Sequence, residues 1–255
     1  MEHILFDVHE HVGTITLNRP EKLNAVTPEM SDALVAHVQE WNRRDDVHVM
    51  VLLAAGEKAF CAGSDVKDLD NYKTPWEFRN RPDYCDAIRS LVKPVVCAIN
   101  GYALGGGLET AMSCDIRIAA DNAMLGSPEV KLGWIGGGGM AYMLAHSVGP
   151  SNASMMLMTG DFISAQQALQ WGLVSELHPQ AALHGRAQEI AATIASRPPI
   201  AVETAKANMR AAYAMPLETA IQYERDLQTV CFATEDAHEG RAAFKERRTP
   251  VFHRR

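Results

Sequence analysis

The chain has 255 residues, 47% hydrophobic and 22% charged, which suits one or two domains with a substantial buried core. Its 24 Lys and Arg against 31 Asp and Glu leave a formal charge of −7, which argues against a nucleic-acid binder driven by bulk charge. No apolar run reaches the roughly 18 residues of a membrane-spanning helix, and five scattered cysteines without a CxxC pair speak against a disulfide framework or structural zinc.

The opening, MEHILFDVHE, lacks the basic region and apolar stretch of a secretion signal, so the expected setting is a reducing, cytoplasmic one. Val12 to Asn18 alternates in the two-residue period of a half-buried strand. Thr27-Pro28 then starts a helix, with Thr27 as N-cap and Pro28 in the first helical position. Met30, Leu34, Val38 and Trp41 fall on one face of that helix. Val47 to Ala55 is a continuous apolar run closed by Gly56, which reads as a buried strand.

The next segment, Phe60-Cys61-Ala62-Gly63-Ser64-Asp65-Val66-Lys67, runs from that region into a short predicted helix. Ser64 has no GxSxG context, so its backbone N–H is the better candidate than its hydroxyl. Thr74 to Arg89 reads as helix and loop, and Pro94 to Asn100 as another strand. The glycine-rich stretch Gly101-Tyr102-Ala103-Leu104-Gly105-Gly106-Gly107 follows and leads into a helix over 108–113. Glycines at such a junction allow a sharp turn and leave the first helical N–H groups free, beside the positive end of the helix dipole. That environment suits an anion. With neither a GxGxxG nor a Gly-Lys pair, an oxyanion formed during reaction fits better than a nucleotide phosphate; a tight turn with no ligand is the equal alternative.

Asp115 to Ala120 is a further strand, followed by Ser127-Pro128-Glu129 and the run Gly136 to Gly139. Four consecutive glycines weaken regular structure, so they call for a reason such as close approach to a substrate; a flexible surface loop is the plainer reading. Glu109 and Glu129 each stand beside a glycine cluster and form a candidate acid–base pair if the fold brings them to one cleft. The alternative is a helix-capping glutamate and an ordinary loop glutamate. The ten histidines show no metal-ligand spacing, so no metal site is expected. From about residue 140 the pattern turns helical, with predicted helices over 164–172, 179–196, 217–232 and 236–247, and one more starting at Pro198-Pro199. Strands alternating with helices, then helices alone, give an α/β class with a helical tail.

Taken in order, these segments resemble the crotonase superfamily, the enoyl-CoA hydratase/isomerase group, over nearly the whole chain. The resemblance is carried by Ile15-Thr16-Leu17-Asn18-Arg19-Pro20 with Leu23-Asn24-Ala25, by the 60–65 and 100–107 segments, by Pro128-Glu129 with Leu132-Gly133, and by Thr159-Gly160 through Gly172-Leu173-Val174. It implies a spiral of ββα units over 1–195 and a helical trimerisation region over 196–255, giving a homotrimer or a hexamer built as a dimer of trimers. It also implies an acyl-CoA thioester substrate, a setting in fatty acid metabolism, and no cofactor, metal, nucleic acid or membrane.

By the same resemblance, the N–H groups of Ser64 and Gly106 hold the thioester oxygen. Glu109 then deprotonates a water while Glu129 protonates the α-carbon, and Gly137 lends an N–H near the water. Lys22, Ala25, Ala62, Ser64, Asp65, Val66, Lys67, Gly105 and Gly106 match substrate-binding positions, and Phe244 and Lys245 match positions that reach a neighbouring subunit's nucleotide. The sequence departs from the typical pattern at Gly136, where proline is usual, and over 139–144, where Gly-Gly-Thr-Gln-Arg-Leu is usual. This wall borders the acyl pocket. Trp134 beside it either reshapes the pocket or packs in the core. The expected activity is hydration of a 2-enoyl-CoA. An enoyl-CoA isomerase is the runner-up, and a non-catalytic binding protein, for instance one for RNA, is third; the net acidity and both glutamates count against the last.

Overall fold

Residues 2–255 are described by a computed structural model. The chain opens as a hairpin, β1 (Ile4–His9) antiparallel to β2 (Val12–Leu17), which turns through Glu10 and His11, both at positive φ. Thr27 caps α1 (Pro28–Trp41) by accepting from the Met30 N–H at 3.3 Å, and the expected face of Met30, Leu34, Val38 and Trp41 is the buried one. Gly13 makes room for that helix: a methyl there would stand 2.9 Å from the Trp41 ring and from the Met50 sulfur.

From here the chain winds, and each turn gives one strand to each of two sheets. The first turn supplies β3 (Val49–Ala54) and β4 (Ala59–Cys61), followed by the short helices α2 (Val66–Leu69), α3 (Pro75–Arg79) and α4 (Tyr84–Arg89). The second supplies β5 (Val95–Ile99), β6 (Tyr102–Leu104) and α5 (Gly106–Met112). The third supplies β7 (Ile116–Ala120), β8 (Met124–Gly126), a 3-10 turn over Pro128–Leu132, and helices α6 (Met140–Val148) and α7 (Pro150–Thr159). Then come β9 (Phe162–Ser164), α8 (Ala165–Gln170), β10 (Glu176–His178) and α9 (Gln180–Ala195). The sheets have the orders β1-β2-β3-β5-β7-β10 and β4-β6-β8-β9. Beyond the opening hairpin the larger sheet is parallel, with Val51 opposite Val96 and Ala98 opposite Ile118. Parallel strands covered on both faces read as continuous apolar runs, which is why Val49–Ala54 carries no alternation.

The main core lies between the sheets and α1, α4 and α5, around Leu34, Trp41, Leu52, Phe60, Ile99 and Leu108. A second apolar layer covers the other face of the larger sheet, where Leu183, Ala187 and Ala191 of α9, four residues apart, pack on Val51, Val96 and Ile118. The remaining helices are α10 (Pro199–Ala212), α11 (Leu217–Phe232) and α12 (Glu235–Glu246). The buried Lys206 ammonium ties α10 to the core through the Lys93 carbonyl and the Asp115 carboxylate, each at 2.6 Å. No residue of α11 is buried.

The stretch beyond residue 140, read as helical, also holds β9 and β10, three residues each and too short to show a strand period, and several helix ends differ by one or two residues from the sequence reading. Helix α5 starts at Gly106 rather than Leu108, because glycine's low helix propensity is overridden where the chain is packed closely on both sides. The stretch 74–89 holds two separate helices, each begun by a side-chain cap, Thr74 for α3 and Asp83 for α4.

Candidate active site

The first half of the site is made where β4 runs out. An isolated parallel bridge joins Val26 and Ser64: the Val26 N–H donates to the Gly63 carbonyl and the Asp65 N–H to the Val26 carbonyl, both at 2.9 Å. The bridge uses the neighbours of Ser64 and leaves its own N–H aside. Asp65 is committed elsewhere. Its carboxylate caps α2 at the Lys67 N–H and pairs with Arg19 at 2.8 Å, and the Arg19 guanidinium holds it below the usual carboxylate range.

The second half is the start of α5. Gly105 turns the chain at φ 55°, and its N–H donates to the Gly126 carbonyl at 2.9 Å. Gly106 then begins the helix, so its N–H has no partner within the helix. The two halves touch: a methyl on Gly63 would stand 3.0 Å from the Gly106 nitrogen. A methyl on Gly106 would run into the Tyr84 hydroxyl, which also shares a 3.0 Å hydrogen bond with the Ser64 hydroxyl. Both backbone N–H groups are thus without an acceptor among the described residues, and that of Gly106 stands at the positive end of a helix.

Glu109, one turn further along α5, is only 5% exposed. Its Oε1 accepts from the Gly138 N–H at 2.7 Å and the Met140 N–H at 3.1 Å. Burial pushes the carboxyl above the ordinary glutamate range; those two donors pull it down, and the charge of Glu129 pushes it up again. Glu129 sits on the 3-10 turn after β8, 8% exposed, and its Oε2 accepts from the Ser127 hydroxyl at 2.8 Å. This crowding explains Gly136 and Gly138, and the positive φ of 105° explains Gly139, whereas Gly137 has open space around it. A methyl on Gly136 would lie 2.7 Å, and one on Gly138 2.8 Å, from a Glu109 carboxylate oxygen.

Ala62, Ser64, Val66, Gly105, Gly106, Glu109, Glu129, Trp134 and Gly137 all line one cavity of about 720 Å³. Val66, Leu69, Phe78, Trp134 and Ile135 give it an apolar wall. Trp134 is 41% exposed, so it shapes the cavity rather than filling the core. Ala25 and Asp65 lie on the adjoining ledge: the Arg19 guanidinium that pairs with Asp65 also donates to the Ala25 carbonyl at 3.2 Å. Lys22 sits in the preceding 3-10 turn and Lys67 in α2; neither lines the cavity. Phe244 and Lys245 are exposed on α12 and do not line it either.

Sequence reasoning missed three contributors. Tyr84 comes from a region with no distinctive motif, and nothing in its neighbours signals that its hydroxyl reaches Ser64. The donors to Glu109 are the N–H groups of Gly138 and Met140, where the glycine run pointed only to Gly137. Burial pushes the Cys61 thiol up to about 12, which suits packing and not nucleophilic chemistry. Among the described residues, no group of three or more His, Cys, Asp or Glu is arranged to hold a metal.

A family model described as "Enoyl-CoA hydratase/isomerase" matches residues 7–255. Among curated proteins, the chain is 40% identical to the (E)-benzylidenesuccinyl-CoA hydratase of Thauera aromatica, covering 98% of each. It is 35% identical to the 2,3-dehydroadipyl-CoA hydratase of Escherichia coli K12, covering 99% of each. The crystal structure of the enoyl-CoA hydratase from Bacillus anthracis superposes with a TM-score of 0.94 at 36% identity, covering both chains in full.

Proposed function

The chain belongs to the enoyl-CoA hydratase/isomerase family and is an enzyme of the hydratase type; from that premise we propose how its own residues add water to a 2-enoyl-CoA. The thioester oxygen is held by the N–H groups of Ser64 and Gly106. Glu109 accepts a proton from a water molecule as the water oxygen bonds to the β-carbon. The double-bond electrons move to an enolate on the thioester oxygen, and Glu129 delivers a proton to the α-carbon as the enolate collapses. Water's proton ends on Glu109 and the carboxyl proton of Glu129 on the product; proton exchange with solvent resets the pair.

The chemistry fits what each group experiences. A buried carboxylate with a raised pKa is a better proton acceptor than an exposed one, and two N–H donors keep it oriented while ionised. Two donors aimed at the enolate oxygen act where charge develops, and losing one such donor typically costs about 2.7–4 kcal/mol of barrier lowering. No metal or organic cofactor enters this scheme, since proton transfer and backbone hydrogen bonds supply every step. The observation that carries the reading is that Glu109, Glu129, Ser64 and Gly106 all line one cavity with an apolar wall.

The same reading extends to the rest of the molecule. Ala62, Val66, Gly105 and the ledge of Lys22, Ala25, Asp65 and Lys67 take the CoA portion. Residues 196–255 form the assembly region of a homotrimer or hexamer, in which Phe244 and Lys245 meet a neighbouring copy's ligand. The exposed apolar side chains of α11, Leu217, Val230 and Phe232, support that assignment. Cytoplasmic residence agrees with five unpaired cysteines.

Loss of the enoyl-thioester absorbance, followed with crotonyl-CoA and longer 2-enoyl-CoAs, tests the reaction. Glu109→Gln and Glu129→Gln should each lower kcat by about 10²–10⁴-fold while butyryl-CoA still binds. Near-normal hydration in both variants, or no turnover of the whole series by folded wild type, would overturn the reading.

A further inference from the structure

One of the two N–H groups that hold Glu109, that of Gly138, belongs to a stretch, Gly136 to Gly139, that has no side chain with which to anchor itself, and the other, that of Met140, follows directly after it at the start of α6. Glycine backbone is the most conformationally free in a protein, so a loop of four requires an outside hold if it is to present donors at fixed positions. The Met143 N–H ties the Gly139 carbonyl to α6, and apart from Glu109 itself the side chain that hydrogen-bonds the loop among the described residues is Arg89 at the end of α4. Its guanidinium donates to the Gly138 carbonyl, whose peptide lies between the Gly138 and Met140 N–H groups. The same nitrogen donates at 3.2 Å to the Ser113 hydroxyl, which in turn donates at 2.8 Å to the backbone carbonyl of Glu109.

We propose that Arg89 is a positioning residue for the reaction, locking the glycine loop to the helix that carries Glu109 so that carboxylate and donors keep one geometry. Resting on the hydratase reading above, the assignment adds a residue that touches no reacting atom. Arg89 is itself held from two sides. Asp86 pairs with its other terminal nitrogen, and the Arg210 guanidinium of α10 donates to the Arg89 carbonyl at 2.6 Å. Arg210 also stands 3.8 Å from Asp115, the carboxylate that binds Lys206. The hold on Glu109 therefore reaches the helical tail through a continuous set of hydrogen bonds.

The charged and titratable groups facing Glu109 are Glu129 from the 3-10 turn and Asp83 and Cys85 from the start of α4. The acids disfavour its ionised form, and the Gly138 and Met140 donors favour it. Release of the loop removes the favourable part and leaves the rest. Two consequences follow for Arg89→Met. Its kcat falls about tenfold to a hundredfold, the scale expected for a small displacement of a catalytic group, with KM within about twofold. The acidic limb of its pH–kcat profile moves to higher pH. An arginine serving only general stability would lower kcat in proportion to the folded fraction and leave the limb in place.

Amide hydrogen exchange over residues 136–141 is measured in parallel in wild type and Arg89→Met, with butyryl-CoA binding and thermal melting as controls. Faster exchange confined to that segment supports the assignment whether or not the wild type hydrates enoyl-CoAs, so failure of the reaction reading is told apart from failure of this one. Should Arg89→Met not fold, Arg89→Lys replaces it, because a single ammonium cannot reach Gly138, Ser113 and Asp86 together; the same changes are expected at smaller size. Unchanged exchange with an unmoved acidic limb in the folded variant would overturn the proposal.

Discussion

Burial raises the Glu109 carboxyl above the ordinary glutamate range, so the folded protein binds that proton more tightly than the unfolded chain does. Below the ordinary value of 4.5 the group is neutral in both states and its stabilising contribution is complete. As pH rises through the raised folded value, the unfolded chain has already released the proton, and stability is lost. Denaturant unfolding from pH 4 to 8 should therefore show wild type losing stability relative to Glu109→Gln as pH rises, the gap levelling off once Glu109 is ionised in the folded state. A gap that widened in the opposite sense would contradict the burial argument. The neighbouring contact of Gly106 with Tyr84 makes a second prediction. Gly106→Ala should lower both melting temperature and kcat, and Tyr84→Phe added to it should recover part of the melting temperature, since the hydroxyl is what the new methyl strikes. If the double variant melts below the single one, that account of the clash is wrong.

At the scale of elements, α1 shows what a sequence can declare about itself. Its cap, its proline and its four core residues are all local features, and Thr27→Ala should cost about 1 kcal/mol of stability with kcat unchanged, read by urea unfolding and steady-state rates. The long helices α9 and α11 were legible too, the first through its alanine-rich run, and each lies within one residue of its expected bounds. Strands β4, β6, β8 and β9 were not, because three residues hold no period and their pairing depends on partners tens of residues away. The site divides along that line too. Glu109 and Glu129 stood beside glycine clusters, Ser64 and Gly106 were matched through the family resemblance, and all four line the one cavity. Tyr84, Arg89 and the Gly138 and Met140 donors could not be picked out, since each matters only through a side chain or peptide brought close by the winding of the chain.

For the whole molecule, a chain of charge −7 that takes an anionic CoA ester must do so through local groups against its own field. Backbone amides at the start of α5 and on the Ser64 segment suit that task. The tail meets a different requirement. No residue of helix α11 is fully buried within its own chain, and Leu217, Val230 and Phe232 stand exposed, which is costly for 16 residues unless another surface covers them. Leu217→Asp with Val230→Asp should therefore shift light-scattering mass from the proposed trimer or hexamer toward monomer while far-UV circular dichroism is kept; a wild type already monomeric at working concentration would refute the proposed assembly. The winding also sets an order of assembly in time. In the larger sheet each strand from β2 to β10 docks on one that precedes it in the chain, so every finished turn is a template for the next as synthesis proceeds from the N-terminus. Helix α9 breaks this progression, reaching back across β2, β3, β5 and β7 to cover Val12, Val51, Val96 and Ile118. A nascent chain stalled before Gln180 would thus carry a nearly complete parallel sheet with one apolar face open to water, the state in which this protein has most need of a chaperone.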